Sequence, residues 1–181
     1  MGKVILVSGG ARSGKSAFAL KLASESSYAE KLFIATAVVF DNEMSERVQK
    51  HKQERGSEWK TIESPYELPK TVENLPSKTV AVVDCLSVWL GNVWYKYGDD
   101  EDTLSLHIDY LHKSIQNWKT ENSGEIILVT NEVGCGIIPP DAATRRYRDW
   151  AGRLNQHIGK IASEVFLCVC GIPMKIKDCL Q

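Results

Sequence analysis

An α/β fold, with a mostly parallel central sheet and helices on both faces, is what this sequence predicts. Three observations predict it. The apolar runs Lys3-Val4-Ile5-Leu6-Val7, Thr79-Val80-Ala81-Val82-Val83-Asp84 and Glu125-Ile126-Ile127-Leu128-Val129-Thr130 are short, β-branched and continuous, the pattern of strands buried on both faces. Segments of helical length separate them, as parallel strands require for their crossovers. The first run leads into a glycine-rich turn, and that turn into a good helix former, Ala17-Phe18-Ala19-Leu20-Lys21-Leu22-Ala23.

In order, strand 3–8 is followed by helix 15–26 and a second strand, Lys31-Leu32-Phe33-Ile34-Ala35-Thr36. Residues 41–55 form a polar helix, with Asp41 or Asn42 as its cap. A short strand covers Glu58 to Glu63, and Pro65 opens a helix to about Asn74. After the strand at 79–84, helices span 86–97 and 103–120, with a Gly98-Asp99-Asp100 loop between them. The strand at 125–130 is followed by the break at Pro139-Pro140, and Asp141 caps a long helix to about Ile161. Glu164 to Cys170 and Ile172 to Lys177 close the chain as strands about the Gly171 turn.

The turn itself reads Gly9-Gly10-Ala11-Arg12-Ser13-Gly14-Lys15-Ser16, a G-x-x-x-x-G-K-S phosphate loop in its strand–loop–helix context. Glycines let backbone N–H groups turn inward, and the helix that follows points its positive end at the same spot. Lys15 reaches the β- and γ-phosphates of a nucleoside triphosphate, and the Ser16 hydroxyl holds Mg²⁺. Asp84 ends a buried strand, where such folds place the second Mg²⁺ partner. It can serve as metal ligand, as base or as a helix cap.

Composition narrows the class. At 181 residues one domain, 1–181, is expected. A net charge of −1 implies no general attraction to nucleic acid or membrane. No apolar stretch reaches the roughly 18 residues of a membrane span, and the start does not read as a signal peptide. Five scattered cysteines read as cytoplasmic and reduced. Cys168 and Cys170, two apart in a strand, read as small buried hydrophobes facing one side.

Other residues leave alternatives open. His51 shares a helical face with Met44 and Val48, so it is either a half-buried packing residue or, amid Arg47, Lys50, Lys52 and Arg55, a nucleophile toward phosphorus. Cationic neighbours lower a histidine's pKa and favour the neutral, attacking form. Arg145, Arg148 and Arg153 lie off the apolar stripe Tyr147, Trp150, Ala151, Leu154, Ile158, and either clamp a phosphorylated substrate or are solvated. Asn131-Glu132-Val133-Gly134 differs from the guanine-reading N-K-x-D of switch GTPases. His107, His112 and His157 form no ligand pattern and read as surface or structural. Trp89, Trp94, Tyr95 and Tyr97 sit on one helix, as core, subunit contact or substrate surface.

Taken together, GGARSGKS at 9–16, IAT at 34–36, the His51-containing segment at 41–55 with Trp59, TNEVGCGIIP at 130–139, RDWAGRLNQ at 148–156 and GIPMKIK at 171–177 resemble the bifunctional adenosylcobinamide kinase / adenosylcobinamide-phosphate guanylyltransferase family. The likeness covers essentially the whole chain. It implies a RecA-like P-loop fold, a homotrimer and two reactions on a corrinoid substrate. The first phosphorylates adenosylcobinamide with ATP or GTP. The second transfers GMP from GTP onto that phosphate through a guanylyl-histidine, and the histidine matches His51. Carried over by position, the nucleotide contacts are Gly9 to Ser16, Ala35-Thr36-Ala37, Lys52-Gln53-Glu54-Arg55, Glu63 and Asp84. The chain departs from the family pattern at Gly56, where a proline is common, and at Asp84, where some relatives have glutamate. The residues alone leave open a single-activity small-molecule kinase with a structural His51, and a nucleotide-gated binding module.

Overall fold

The computed structural model describes residues 1–38, 56, 58–98 and 100–178. The strands are β1 (Lys3–Gly9), β2 (Glu30–Ala35), β3 (Trp59–Glu63), β4 (Thr79–Asp84), β5 (Gly124–Asn131), β6 (Glu164–Val169) and β7 (Ile172–Lys177). The helices among the described residues are α1 (Lys15–Ser24), α2 (Leu68–Glu73), α3 (Leu86–Tyr97), α4 (Glu101–Glu121) and α5 (Ala142–Ile161). All seven strands join one sheet in the order β3-β2-β4-β5-β1-β6-β7. Every pair is parallel except β6 and β7.

Alternation along the buried strands divides the core into two layers. Val4, Leu6, Leu32, Ile34, Ala81, Val83, Ile126 and Leu128 face α2 to α5. Ile5, Val7, Phe33, Val80, Val82, Ile127 and Val129 face α1, meeting Phe18, Ala19 and Ala23. Both faces are covered, which is why the central strands read as continuous apolar runs. A fully buried aliphatic side chain stabilises by about 1.5–3 kcal/mol, so these two layers dominate the cohesion of the fold.

Helix ends follow local chemistry. Asp100 and Asp141 each accept a hydrogen bond from the backbone N–H three residues on, at 2.9 and 2.8 Å. The Asp141 cap is as expected, and α4 starts two residues earlier than expected because Asp100 caps it. These bonds favour the ionised carboxylates, so both pKa values lie below the ordinary aspartate value.

Two expectations are corrected. Helix α2 begins at Leu68, not Pro65: Pro69 takes the first turn, where its missing N–H costs nothing, and Pro65-Tyr66 form a bend before it. Cys168 is buried, but Cys170 is exposed. It lies beyond the end of β6, with φ +53, and with Gly171 at φ +80 makes a two-residue hairpin turn. Positive φ at both central residues is the geometry that matches the twist of the flanking strands. The polar helix expected at 41–55, and with it His51, Lys52, Gln53, Glu54 and Arg55, lies outside the described residues.

Candidate active site

The phosphate loop leaves the carboxyl end of the central strand β1 and enters α1. Gly14 takes φ +90 at the N-cap of α1, and Arg12 takes φ +57. Gly10, Ala11, Arg12 and Gly14 are exposed, whereas Ser13 and Lys15 are buried. The Lys15 ammonium donates to the Gly10 carbonyl at 3.0 Å, folding the side chain back along its own loop. Ser13 donates its backbone N–H to Gly10 O at 3.3 Å. Its hydroxyl has no hydrogen-bond partner in the structure. A Cβ at Gly9 would come within 2.4 Å of that hydroxyl and 2.7 Å of the Cys168 carbonyl, so only glycine fits there.

The β6–β7 hairpin buttresses the loop. The Gly171 N–H donates to Ser13 O at 3.1 Å. A Cβ at Gly14 would sit 3.1 Å from the Gly171 Cα. No local feature of the sequence signals this contact; it arises because β6 pairs with β1.

Sheet register brings the remaining described candidates together. Glu63, Ala35 and Asp84 occupy one row across β3, β2 and β4. Strand alternation places all three on the α1 face, in phase with Trp59, Phe33 and Val82 of the α1-side core. One residue on, the Thr36 hydroxyl donates to Cys85 O and accepts from Cys85 N–H, both at 2.8 Å. The Thr36 N–H also donates to Asp84 O at 3.3 Å. The ends of β2 and β4 are thereby fixed to each other.

Charge in this region registers on the thiols. Burial, and then the adjacent Asp84 carboxylate, push the Cys85 thiol up; the Ser87 hydrogen bond, and more weakly Lys15, oppose them. Burial also raises Cys168, again with Lys15 opposing. Lys15 is thus felt at the carboxyl ends of both β4 and β6. Cys85 and Cys168 stay neutral thiols, not nucleophiles.

Several supporting residues escaped the sequence reading. The Asn92 amide donates to Thr36 O at 2.7 Å and to Pro65 O at 3.0 Å. Its signal was there: a polar residue in the apolar stretch of α3 needs buried partners. Ser87 accepts from the backbone and side-chain amides of Asn131. Asn155 accepts from the Thr130 hydroxyl at 2.7 Å and donates to Asn131 O at 3.4 Å, tying α5 to the end of β5. The Tyr147 hydroxyl donates to Ser87 O at 2.7 Å, and burial pushes its pKa up to about 12.

The arginines hold protein, not open solvent. Arg145 donates to the Pro139 and Pro140 carbonyls. Arg148 donates to those of Ile137 and Gly134. Arg153 pairs with Glu101 at 2.9 Å. Trp89 is wholly buried and Tyr95 is exposed, so the aromatics of α3 divide between core and surface. His107 stacks on Tyr97, and His112 meets His157 edge-on. No described helix is long and apolar enough to cross a membrane.

Comparison with known proteins agrees with this geometry. The ATPase in "Structural and biochemical analysis of a prototypical ATPase from the type III secretion system of pathogenic bacteria" matches with a TM-score of 0.57 at 12% identity, over 92% of this chain and 51% of that one. At that identity the likeness concerns the fold alone, a RecA-like P-loop NTPase. The chain is 37% identical over 183 residues to the bifunctional adenosylcobalamin biosynthesis protein CobU of Escherichia coli (strain K12), covering 96% of this chain and 99% of that protein. It is 39% identical over 173 residues to CobP of Pseudomonas aeruginosa, named with the same function, covering 95% and 96%. The profile of the family described as cobinamide kinase / cobinamide phosphate guanyltransferase matches residues 5–176. With that match spanning nearly every element that builds the site, the chain belongs to the cobinamide kinase / cobinamide phosphate guanyltransferase family, and is an enzyme of the transferase class.

Proposed function

We propose that the whole chain is a single catalytic domain that phosphorylates adenosylcobinamide and then transfers GMP from GTP onto the phosphate. The observation that carries this reading is the convergence of the phosphate loop, Ala35 and Asp84 at the carboxyl ends of the strands, on the face that α1 covers.

In the first reaction the substrate hydroxyl oxygen attacks the γ-phosphorus of ATP or GTP. The bond to the β-bridging oxygen breaks and the nucleoside diphosphate leaves. Lys15 and the loop N–H groups hold the phosphates and offset their charge. Asp84 takes the hydroxyl proton or helps hold the metal. A Mg²⁺ ion retains several waters and needs only one or two protein oxygens besides substrate phosphates. Ser16, in the first turn of α1, and Asp84, on the face α1 covers, would supply them. When bound, the ion would offset charge on the phosphate oxygens.

In the second reaction a neutral His51 ring nitrogen attacks the α-phosphorus of GTP, and pyrophosphate leaves. A phosphate oxygen of the phosphorylated substrate then attacks the same phosphorus and frees the histidine. The phosphoramidate conserves transfer potential between the two halves. Lys52 and Arg55 offset the charge at the α-phosphate. Ala37, Gln53, Glu54 and Glu63 complete the nucleotide contacts. The active form is a cytoplasmic homotrimer, a point that sedimentation checks.

GTP labelled at the α-phosphate tests the proposal. The native enzyme should retain acid-labile, base-stable label after denaturation, and His51→Ala should retain none while still phosphorylating cobinamide. Absence of covalent label from native protein under every condition sinks the guanylyl-histidine. Equal loss of both reactions in His51→Ala would return that residue to a structural role.

A further inference from the structure

The loop from Glu132 to Pro140 leaves β5 beside the phosphate loop. Asn131 is paired in register with Gly9, and the Glu132 N–H donates to Gly9 O at 3.0 Å. The Glu132 carboxylate then accepts from the Gly134 N–H at 2.6 Å. Arg145 and Arg148 together donate four hydrogen bonds to carbonyls of this loop. Two guanidinium groups on the first turns of α5 thus fix its backbone. Yet the side chains at its tip face solvent: Ile137 is 95% exposed and Ile138 70%. A loop held this firmly, with two adjacent aliphatic side chains left in water, is preset to cover apolar surface on something else.

We propose that Ile137 and Ile138 form the platform on which the macrocycle of the corrinoid substrate rests, with its hydroxyl-bearing arm directed back to the phosphate loop. This rests on the function proposed above. The occupant follows from position. The loop starts beside Gly9, and the five steps from Glu132 to Ile137 span at most about 18 Å. The tip therefore stays within reach of a large ligand whose other end lies at the phosphates. A corrinoid offers that combination: a broad macrocycle bearing methyl groups that an aliphatic surface can cover, and a separate polar arm that reacts. Arg145 and Arg148 act as positioning residues, because their guanidinium groups are occupied by the loop.

Equilibrium dialysis of the full chain with cobinamide tests the platform, beside dialysis with GTP. I137S/I138S should weaken cobinamide binding about tenfold or more. Its GTP affinity and its covalent labelling by GTP without corrinoid should stay at the native level. I137L/I138L should restore cobinamide binding, since the apolar area returns. Arg148→Ala should weaken cobinamide binding while GTP binding holds. Unchanged cobinamide binding by I137S/I138S overturns the platform and leaves the function standing. So does a loss of binding that tracks a change in sedimentation, because the tip is then a contact between copies of the chain. Failure of the native protein to bind or phosphorylate cobinamide overturns both readings.

Discussion

Thr36 and Cys85 hold each other through a reciprocal pair of 2.8 Å hydrogen bonds, hydroxyl to carbonyl and amide to hydroxyl. Both residues are buried, and they join the strand ends that carry Ala35 and Asp84. Thr36→Val keeps the shape but leaves the Cys85 N–H and C=O without this partner. The expected cost is about 1–3 kcal/mol, read as a lowered urea midpoint. The KM for nucleotide should rise in both reactions, because the proposed row of nucleotide contacts loosens. A variant with native stability and native KM would show that the pair is dispensable.

Gly9→Ala should remove nucleotide binding more completely than its size suggests. The added carbon has no room between the Ser13 hydroxyl and the Cys168 carbonyl. Either the loop or β6 must shift, and the loop N–H groups proposed to face the phosphates shift with it. Isothermal titration with GTP is expected to show at least a tenfold loss. Ser13→Ala in the same background should recover part of it, because the nearer clash is with the hydroxyl.

Lys15→Ala should reduce both half-reactions, each on the order of 10²–10³-fold in kcat, the scale for loss of one charge-stabilising donor. His51→Ala, by contrast, separates them. Measuring γ-phosphoryl transfer and GMP transfer on each variant gives a two-by-two pattern. Loss of only one reaction in Lys15→Ala contradicts a shared phosphate cradle.

Tyr147 makes a pH-dependent contribution at the alkaline end. Burial raises its pKa to about 12, from an ordinary value near 10. The folded state therefore holds this proton more tightly than the unfolded chain does. The stability it adds is fully present below about pH 10 and is lost as pH rises through about 12. Tyr147→Phe should lower stability at neutral pH, through the lost bond to Ser87 O, and flatten the decline between about pH 10 and 12. Parallel urea midpoints for the two proteins across that window would refute the assignment.

How much of this could be read from the sequence depended on how local each cause is. Gly9–Ser16 was legible because strand, turn and helix each declare themselves within a few residues. The place of Asp84 at the end of β4 was legible because an acid ends an apolar run. Cys170 was misread because a two-residue turn takes it out of the period of β6, and strand alternation cannot show where a strand stops. Pro65 was misread as a helix start because two prolines compete, and Pro69 holds the first-turn position. The grip of Arg145 and Arg148 on the 134–140 carbonyls was invisible, since a charged side chain's partner is decided by tertiary structure. Gly171 reads as a turn glycine, and its bond to Ser13 appears only once β6 lies beside β1.

Strand β1 lies between β5 and β6, and those two are among the last strands in the chain. During synthesis, the Gly9–Ser16 loop is made before β5, β6 and the hairpin that flank and prop it. Until β6 and its hairpin arrive, the Gly9–Ser16 segment has neither its second flanking strand nor the Gly171 amide that props it. The native shape of the loop is therefore expected only once β6 and its hairpin have been made. A chain that stops before β6 keeps the whole phosphate-loop sequence but lacks the strand and the amide that shape it.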